Sequence, residues 1–173
     1  PFIMNAEGRA RLFGQGLVDG PLPEHYEPWE SPVHNALAGM QNDPVIAIWS
    51  QEIQKRGDPG RFPIVATTYR LSEHWQAGQM TRNLPWLIEL FPHMFVEISE
   101  ELAQEKGLHN GQEVIVETAR GSIQIPVAIT RRLEPFNFAG RRIHQIALPW
   151  HWGYTGLSVG QSANILAPNV GDA

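Results

Sequence analysis

The sequence predicts a mainly β fold with short helices, arranged as a small closed barrel. Short apolar runs separated by turn-forming residues recur between residues 62 and 166. Several of these runs alternate apolar and polar side chains, as half-buried strands do. Helical signals are few and short between them, and short strands with a helix between them are typical of a small closed barrel.

The first half of the predicted barrel contains two strands and a helix. Residues 62–66 are a β-type apolar run, and residues 83–91 read as a short helix with a proline near the first turn. An apolar strand follows at Phe95, Val96 and Ile98.

A second helix is predicted directly after this strand, over residues 99–107. Ser99 is a good N-cap, acids fill the first turn, Lys106 lies in the last turn, and Gly107 can supply the left-handed stop. Asn110-Gly111 then gives the strongest hairpin-turn signal in the chain.

Four further strand segments are predicted downstream. Apolar side chains alternate over residues 114–118, a turn follows at 119–122, and the alternation resumes over residues 123–127. Residues 143–148 supply another strand, and a final one begins at Asn164.

The chain is predicted to divide near residue 61. Residues 1–63 hold eight of the fourteen prolines and seven of the sixteen glycines, which disfavours a core of their own. We therefore expect an extended arm over residues 1–61, packed on a barrel over residues 62–173. Within the arm, residues 45–55 form one short helical candidate, and residues 19–32 are a candidate docking surface.

Composition excludes several classes of function. Thirteen basic against eighteen acidic residues give a net charge of −5 without a block of like charge, so binding to nucleic acid is not expected. No window approaches 18 continuous apolar residues, so no membrane-spanning helix is predicted. The absence of cysteine excludes iron–sulfur ligation by this chain. No histidine pair has a metal-ligand spacing such as HExxH, and no serine lies in a GxSxG setting, so neither a metal ligand nor a catalytic residue is predicted.

Two polar segments stand out as a candidate binding site. The run TTYRLSEHW occupies residues 67–75, and HWG at 151–153 is followed by Asn164. Both segments place donors, an imidazole and an indole where strands end in loops, as a β scaffold does when it binds a large polar ligand.

Each residue type in these segments could bind a ligand, but each could also have an ordinary structural role. Arg70 offers a planar fork of donors suited to a phosphate or a purine edge, but it could instead be a surface arginine paired with Glu73. The histidines and tryptophans could donate to a ligand or pack in a core. Gly153 permits close backbone approach, and the Asn164 amide can both donate and accept.

The order of these motifs resembles a known family. TTYRLSEHW, MTRN, an apolar helix, VEIS, a hairpin, HWG and ANIL follow one another as in the C-terminal molybdopterin-dinucleotide-binding domain of the DMSO-reductase superfamily of molybdenum and tungsten enzymes. Residues 19–28 and 168–173 are similar to the large subunit of respiratory formate dehydrogenases.

The resemblance implies a fold and a cofactor. The fold would be a double-psi β-barrel that lacks its last strand, and the cofactor would be molybdopterin guanine dinucleotide carrying molybdenum or tungsten. Its binding residues would be Thr68, Tyr69, Arg70, Leu71, His74, Trp75, His151, Trp152, Gly153 and Asn164. For Thr68, Tyr69 and Leu71 the contribution would come more from the main chain than from the side chain.

The resemblance also implies a larger enzyme around this chain. Such an enzyme oxidises formate to CO2, and its metal ligand, catalytic residues and [4Fe–4S] cluster would lie upstream. Its partners would be the remainder of the large subunit and an iron–sulfur electron-transfer subunit, in an exported periplasmic enzyme or a cytoplasmic one. Two alternatives stay open: a structural or subunit-docking domain, and the same domain of a related enzyme such as a nitrate reductase.

Overall fold

The computed structural model describes residues 30–33, 57–138, 140–153 and 155–167. Most of the predicted arm over residues 1–61, including the helical candidate at 45–55, lies outside the described residues. So do residues 19–29 of the candidate docking surface and the C-terminal residues 168–173. The boundary near residue 61 therefore stays a prediction.

Seven strands and two α-helices make up the described part of the chain. In sequence order they are β1 (Val65–Tyr69), α1 (Pro85–Leu90), β2 (Val96–Ser99), α2 (Glu100–Lys106), β3 (Glu113–Glu117), β4 (Ser122–Thr130), β5 (Phe136–Phe138), β6 (Arg141–Ile143) and β7 (Gln145–Pro149). Short 3-10 helices occur at Thr81–Asn83 and Ala163–Ile165. The predicted mainly β class with short helices is confirmed. None of the described helices has the length and apolar character needed to cross a membrane.

Five of the strands form one mixed sheet in the order β1-β7-β2-β4-β3. The pairs β1–β7 and β2–β4 are parallel, whereas β2–β7 and β3–β4 are antiparallel. Parallel neighbours cannot be joined by a tight turn, so this order brings together segments that are distant in sequence. The strands β5 and β6 form a separate antiparallel pair.

The sheet curls into a half-barrel. Its two edge strands, β1 and β3, line one groove together with Leu102, Ile143 and Ile146. Two edges of one sheet can line the same groove only if the sheet bends toward itself. In the part of the chain that the structure describes, no strand joins β1 to β3 and closes the barrel.

The core lies on the concave face of this sheet. Val96 and Ile98 of β2 are buried there with Ile146 and Leu148 of β7, and with the alternate residues Ile123, Ile125 and Val127 of β4. Each such aliphatic residue contributes about 1.5–3 kcal/mol when it is fully buried. The core continues into Trp152 and Leu166, so the segments that follow β7 are packed against the sheet.

The helix α2 forms as the sequence predicts. The Ser99 side chain accepts a hydrogen bond from the Leu102 N–H, and Gly107 ends the helix at φ 65° and ψ 37°. The helix α1 is shorter than predicted and begins at Pro85 after the 3-10 turn, with the proline at its first position.

Several strand boundaries differ from the sequence-based expectation. The strand β1 begins at Val65, because residues 58–62 turn through hydrogen bonds from the N–H groups of Arg61 and Phe62 to the Asp58 C=O. The single strand expected over residues 143–148 is divided into β6 and β7 at His144. The strand β5 was missed, and Gly140 at φ 73° lies in the turn that pairs it with β6.

Two predictions of local structure were wrong. Asn110-Gly111 forms a turn with Gly111 at φ 76°, but it joins α2 to β3 and no hairpin forms there. The segment at Asn164 is a 3-10 turn and no strand, because the Ser162 hydroxyl accepts a hydrogen bond from the Asn164 N–H and starts a turn.

An ion pair fastens residues 30–33 to the β3–β4 turn. Arg120 donates from Nη1 and Nη2 to the Glu30 carboxylate at 2.6 and 2.8 Å, and from Nε to the Leu166 C=O at 3.0 Å. The same carboxylate accepts a hydrogen bond from the Gly57 N–H. Through these bonds the pair joins four separate segments, at residues 30, 57, 120 and 166. The Arg120 side chain is only 7% exposed, so little water competes for its hydrogen bonds.

Replacing Arg120 by leucine should lower the free energy of unfolding by about 2–3 kcal/mol, because the Glu30 carboxylate loses the two hydrogen bonds from a guanidinium that is almost fully buried. Arg131→Leu is the matched control, since Arg131 also pairs with a carboxylate, that of Glu100, but is 87% exposed. The control should lower the free energy of unfolding much less, because an exposed ion pair contributes little. Urea unfolding of both variants measures the difference, and equal losses would contradict the role given to the Arg120 pair.

Candidate functional site

The parallel pairing of β1 with β7 brings the two predicted segments together. Tyr69 at the end of β1 lies opposite Pro149 at the end of β7. Because parallel strands leave the sheet at the same edge, the 70–76 loop and the 150–153 segment emerge side by side. The ring centroids of His74 and His151 are 6.0 Å apart. The structure thus places residues about eighty positions apart in sequence at one site.

His151 lies between the two ends of the 70–76 loop. Its Nε2 accepts a hydrogen bond from the Leu71 N–H at 2.7 Å, and its Nδ1 bonds to the Gln76 C=O. A backbone N–H can only donate and a C=O can only accept, so these partners fix the neutral tautomer with its proton on Nδ1. The His151 residue has no exposed surface.

The loop that His151 spans is tightly bent at its far end. Gln76 has φ 47° and is the one non-glycine residue with positive φ within the described ranges. Gly78 has φ 75°, and a Cβ atom built there would lie 2.2 Å from the His151 C=O oxygen. Only glycine fits at this position, where two segments of backbone touch.

His74 and Trp152 form the interior of the site. The His74 Nε2 donates to the Phe91 C=O at 2.9 Å, and its Nδ1 lies 3.2 Å from the Thr81 hydroxyl. The Trp152 Nε1 donates to the Ser158 hydroxyl at 3.2 Å, and that hydroxyl donates in turn to the Pro92 C=O. Both rings are about 97% buried, and every polar atom named here has a partner inside the protein.

Arg82 is a buried residue that the sequence-based reasoning missed. Its Nη1 donates to the C=O groups of Thr155 and Ser158, while its own C=O accepts from the N–H groups of Leu157 and Ser158. These bonds fasten the 78–83 turn to the 155–158 turn. Its position within MTRN carried no local signal, because arginine is among the residues least often buried. Ser158 is likewise a structural hydrogen-bonding residue, in agreement with its position outside any GxSxG motif.

Four of the predicted ligand-binding residues are exposed or lie at a free edge. Arg70 is exposed, with its guanidinium carbon 5.6 Å from the centre of the Trp150 ring. Trp75 is 60% exposed, and Asn164 is exposed on the Ala163–Ile165 turn. Val65 donates its N–H to the His144 C=O of the neighbouring strand. Because N–H groups alternate in direction along a strand, Thr68 directs its N–H away from β7, toward the edge of β1 that no described strand pairs with.

The remaining predicted residues are partly or wholly enclosed. The N–H groups of Tyr69 and Leu71 face β7 and His151, respectively. The residues His74, His151 and Trp152 are buried, and Gly153 is half-buried, with Arg82 Nη2 lying 4.0 Å from the position that a Cβ atom would take. The structure therefore brings most of the predicted residues together, while their contacts with a ligand stay predictions.

A second charged group lies beside Tyr69 on the convex face of the sheet. The Glu97 carboxylate, 5% exposed, accepts hydrogen bonds from Arg132 at 2.6 and 2.9 Å. Burial of the phenol and the nearby Glu97 charge raise the pKa of Tyr69 far above its usual value. Tyr69 thus stays uncharged at physiological pH and presents no anion to a ligand.

The chemistry of the site favours a polar, anionic ligand over a metal ion. In the described ranges no group of three or more His, Cys, Asp or Glu side chains is placed to hold a metal ion. What the site presents is an exposed guanidinium held over an indole, a backbone N–H at a strand edge that no described strand pairs with, and a half-buried glycine. These groups fit a phosphate and a planar heterocycle.

Comparison with known proteins agrees with this chemistry. The family described as "Molydopterin dinucleotide binding domain" matches residues 64–172. The alpha subunit of formate dehydrogenase from Megalodesulfovibrio gigas is 46% identical over 173 residues, covering 99% of this chain and 17% of that subunit. The nitrate-inducible formate dehydrogenase major subunit of Escherichia coli is 43% identical over 177 residues, covering 100% of this chain and 17% of the relative.

Other matches are partial. The periplasmic nitrate reductase of Desulfovibrio desulfuricans is 36% identical over 74 residues, which are 43% of this chain and 10% of that enzyme. Among solved structures, the acetylene hydratase from Pelobacter acetylenicus matches 65% of this chain and 15% of its own, at 19% identity and a TM-score of 0.45. The chain spans about 17% of the length of the formate dehydrogenase subunits that it matches.

The stability of the site should depend on pH through His151. Burial lowers the pKa of His151 below its usual 6.5, and His74 and Arg70 nearby lower it further, while the bond to Gln76 opposes them. Below pH 6.5 the unfolded protein then binds more protons than the folded one, so stability present above pH 6.5 is lost as the pH falls. The loss from this residue cannot exceed about 1.4 kcal/mol per pH unit.

The free energy of unfolding should therefore fall more steeply between pH 7 and pH 5 in the wild type than in His151→Gln. His109→Gln, which replaces an exposed histidine outside the site, is the control. Urea titrations at several pH values give the three slopes, and a His151→Gln slope as steep as that of the wild type would contradict the prediction.

Gly78→Ala should cost about 3 kcal/mol or more, because the new methyl group meets the backbone at His151 and one of the two segments must move. Gly111→Ala is a control at a nearly identical φ of 76°, but with no atom within 4 Å of the new Cβ. The control should lose only about 1 kcal/mol from backbone strain. Thermal unfolding measures both losses, and a Gly78 cost no larger than the Gly111 cost would show that the two segments are not in close contact.

Proposed function

The chain belongs to the molydopterin dinucleotide binding domain family, and from that membership we propose that it binds the molybdopterin guanine dinucleotide of a formate dehydrogenase large subunit. The single observation that supports this proposal at the level of individual residues is the exposed Arg70 guanidinium. It lies where β1 ends, on a loop whose conformation is held by buried hydrogen bonds.

Arg70 is suited to the anionic part of such a ligand. A pyrophosphate carries charged oxygens that a guanidinium binds through two parallel hydrogen bonds, and a guanine presents acceptors to the same fork. Arg70 is held over the Trp150 ring, so it loses little conformational freedom on binding. The Thr68 N–H at the free strand edge would add a donor beside it.

Other exposed groups would contact the planar parts of the ligand. Trp75 offers an indole face, and the Asn164 amide can pair with a ring that alternates donors and acceptors. The half-buried Gly153 has no side chain to keep a ligand from the backbone. The buried residues His74 and Trp152 would act indirectly, by holding the loops on which these groups lie.

In the full enzyme this chain would position the cofactor, and other parts of the protein would supply the chemistry. The bound group would provide the molybdenum or tungsten centre at which formate is oxidised to CO2. Its metal ligand and an iron–sulfur cluster would come from the rest of the large subunit, and an electron-transfer subunit would accept the electrons. The identity of the curated relatives as formate dehydrogenase subunits supports this assignment.

A second candidate function is docking to another part of the same enzyme. Trp86 and Leu90 lie one turn apart on α1 and are 62% and 63% exposed, so they form a small apolar patch on the surface of the helix. This role is compatible with cofactor binding, and substitution of Trp86 separates the two because α1 carries none of the proposed ligand contacts.

Arg70→Ala in the full-length protein should weaken binding of the dinucleotide by about one to two decades, because a charge-assisted contact contributes roughly 1.5–3 kcal/mol. Arg131→Ala is the control, since it removes another exposed arginine, which lies after β4. The measurement is the amount of guanine nucleotide and pterin released per protein molecule, together with the turnover rate per occupied site.

The proposal requires lower occupancy with an unchanged rate per occupied site in the Arg70 variant alone. Full occupancy with a collapsed rate would make Arg70 a catalytic residue. A wild-type protein that releases no guanine nucleotide would overturn the proposed function itself.

A further inference from the structure

We infer that His151 is a positioning residue that fixes the direction of Arg70 through the loop and the indole between them, and that it makes no contact with the ligand. The part of this inference that concerns the ligand rests on the proposed function. The part that concerns the loop rests on the geometry of the described residues.

The hydrogen-bonding capacity of His151 is fully used inside the protein. A neutral imidazole has one donor and one acceptor, and here the acceptor takes the Leu71 N–H while the donor bonds the Gln76 C=O. The residue also has no exposed surface. A ligand could reach its ring only if one of these bonds broke, so direct contact would undo the loop.

His151 controls Arg70 from two sides. Its bond to the Leu71 N–H fixes the backbone at the residue after Arg70. Its ring also stacks on Trp150, with centroids 5.6 Å apart and planes inclined by 26°, and the Arg70 guanidinium lies over that same indole at 5.6 Å. One buried ring therefore sets both the backbone and the aromatic surface on which Arg70 rests.

The same ring offsets the strain at the end of the loop. Gln76 adopts a positive φ that L residues rarely take, and its C=O is the group that His151 Nδ1–H bonds. Protonation of His151 would place an N–H against the Leu71 N–H and remove that bond. Arg70 and His74, the ionisable groups that face the ring, would oppose the added positive charge.

Three substitutions separate the two hydrogen bonds of His151. The glutamine side chain reaches the Nε2 position, so His151→Gln should keep the acceptor for Leu71. The asparagine side chain reaches only the Nδ1 position, so His151→Asn should keep the donor to Gln76 alone. His151→Phe fills the space and makes neither bond.

The first readout is hydrogen exchange of the Leu71 amide in the full-length protein. Exchange should be roughly tenfold faster, or more, in the Phe and Asn variants and close to wild type in the Gln variant. Amides of β2 and β4 report whether each variant is folded and should not change. Wild-type exchange at Leu71 in the folded Phe variant would overturn the positioning role, as would fast exchange in the Gln variant.

The second readout is the dissociation constant for the guanine dinucleotide in the same four proteins. It should rise about tenfold in the Phe and Asn variants and be restored by Gln, with the order of affinities following the order of Leu71 protection. Fast Leu71 exchange with unchanged affinity would contradict the link to Arg70. If all three variants lose affinity alike while the Leu71 amide of the His151→Gln variant stays protected from exchange, the ring itself contacts the ligand.

Failure of the proposed function is distinguishable from failure of this inference. If the wild-type protein binds no guanine dinucleotide, the proposed function is wrong and with it the role of His151 toward the ligand. The Leu71 exchange rates still decide whether His151 holds the loop, because they are measured without reference to the cofactor.

Discussion

The site depends on the parallel pairing of β1 with β7. These strands are separated by about seventy-five residues, yet they end at the same edge of the sheet. Both loops of the site follow from that edge: the 70–76 loop leaves from β1, the segment with His151 leaves from β7, and both lie over the core. A pairing in another register or direction would place the two loops apart.

The second constraint is that the buried polar groups between the loops must be satisfied. His74, Arg82, His151, Trp152 and Ser158 are all buried, and burying a polar group without a partner costs several times what a surface hydrogen bond contributes. Their partners are mostly backbone C=O and N–H groups of the two loops. The polar interior therefore fixes the loops in one conformation, and the exposed groups on them, Arg70 above all, are presented in a defined direction.

Local signals in the sequence predicted those helices, strands and turns that depend on residues close together in the chain. Ser99 and Gly107 bound α2 as expected, and the alternation on either side of the 119–122 turn gave the β3–β4 hairpin. What depends on distant contacts could not be predicted. The parallel order of the sheet, the buried position of Arg82 and the hydrogen bonds of His151 to Leu71 and Gln76 have no counterpart within a few residues. Asn110-Gly111 shows the limit of a local signal, because it gave the turn but not what the turn connects.

A structure of the full-length protein with its bound dinucleotide would test the central claim most directly. The account predicts that the Arg70 guanidinium meets the phosphates or the guanine, that Gly153 lies against the ligand, and that His151 keeps its bonds to Leu71 and Gln76. A ligand bound away from the 70–76 and 150–153 segments would contradict the account. So would a His151 ring turned out of the loop, with one of its nitrogens on the ligand.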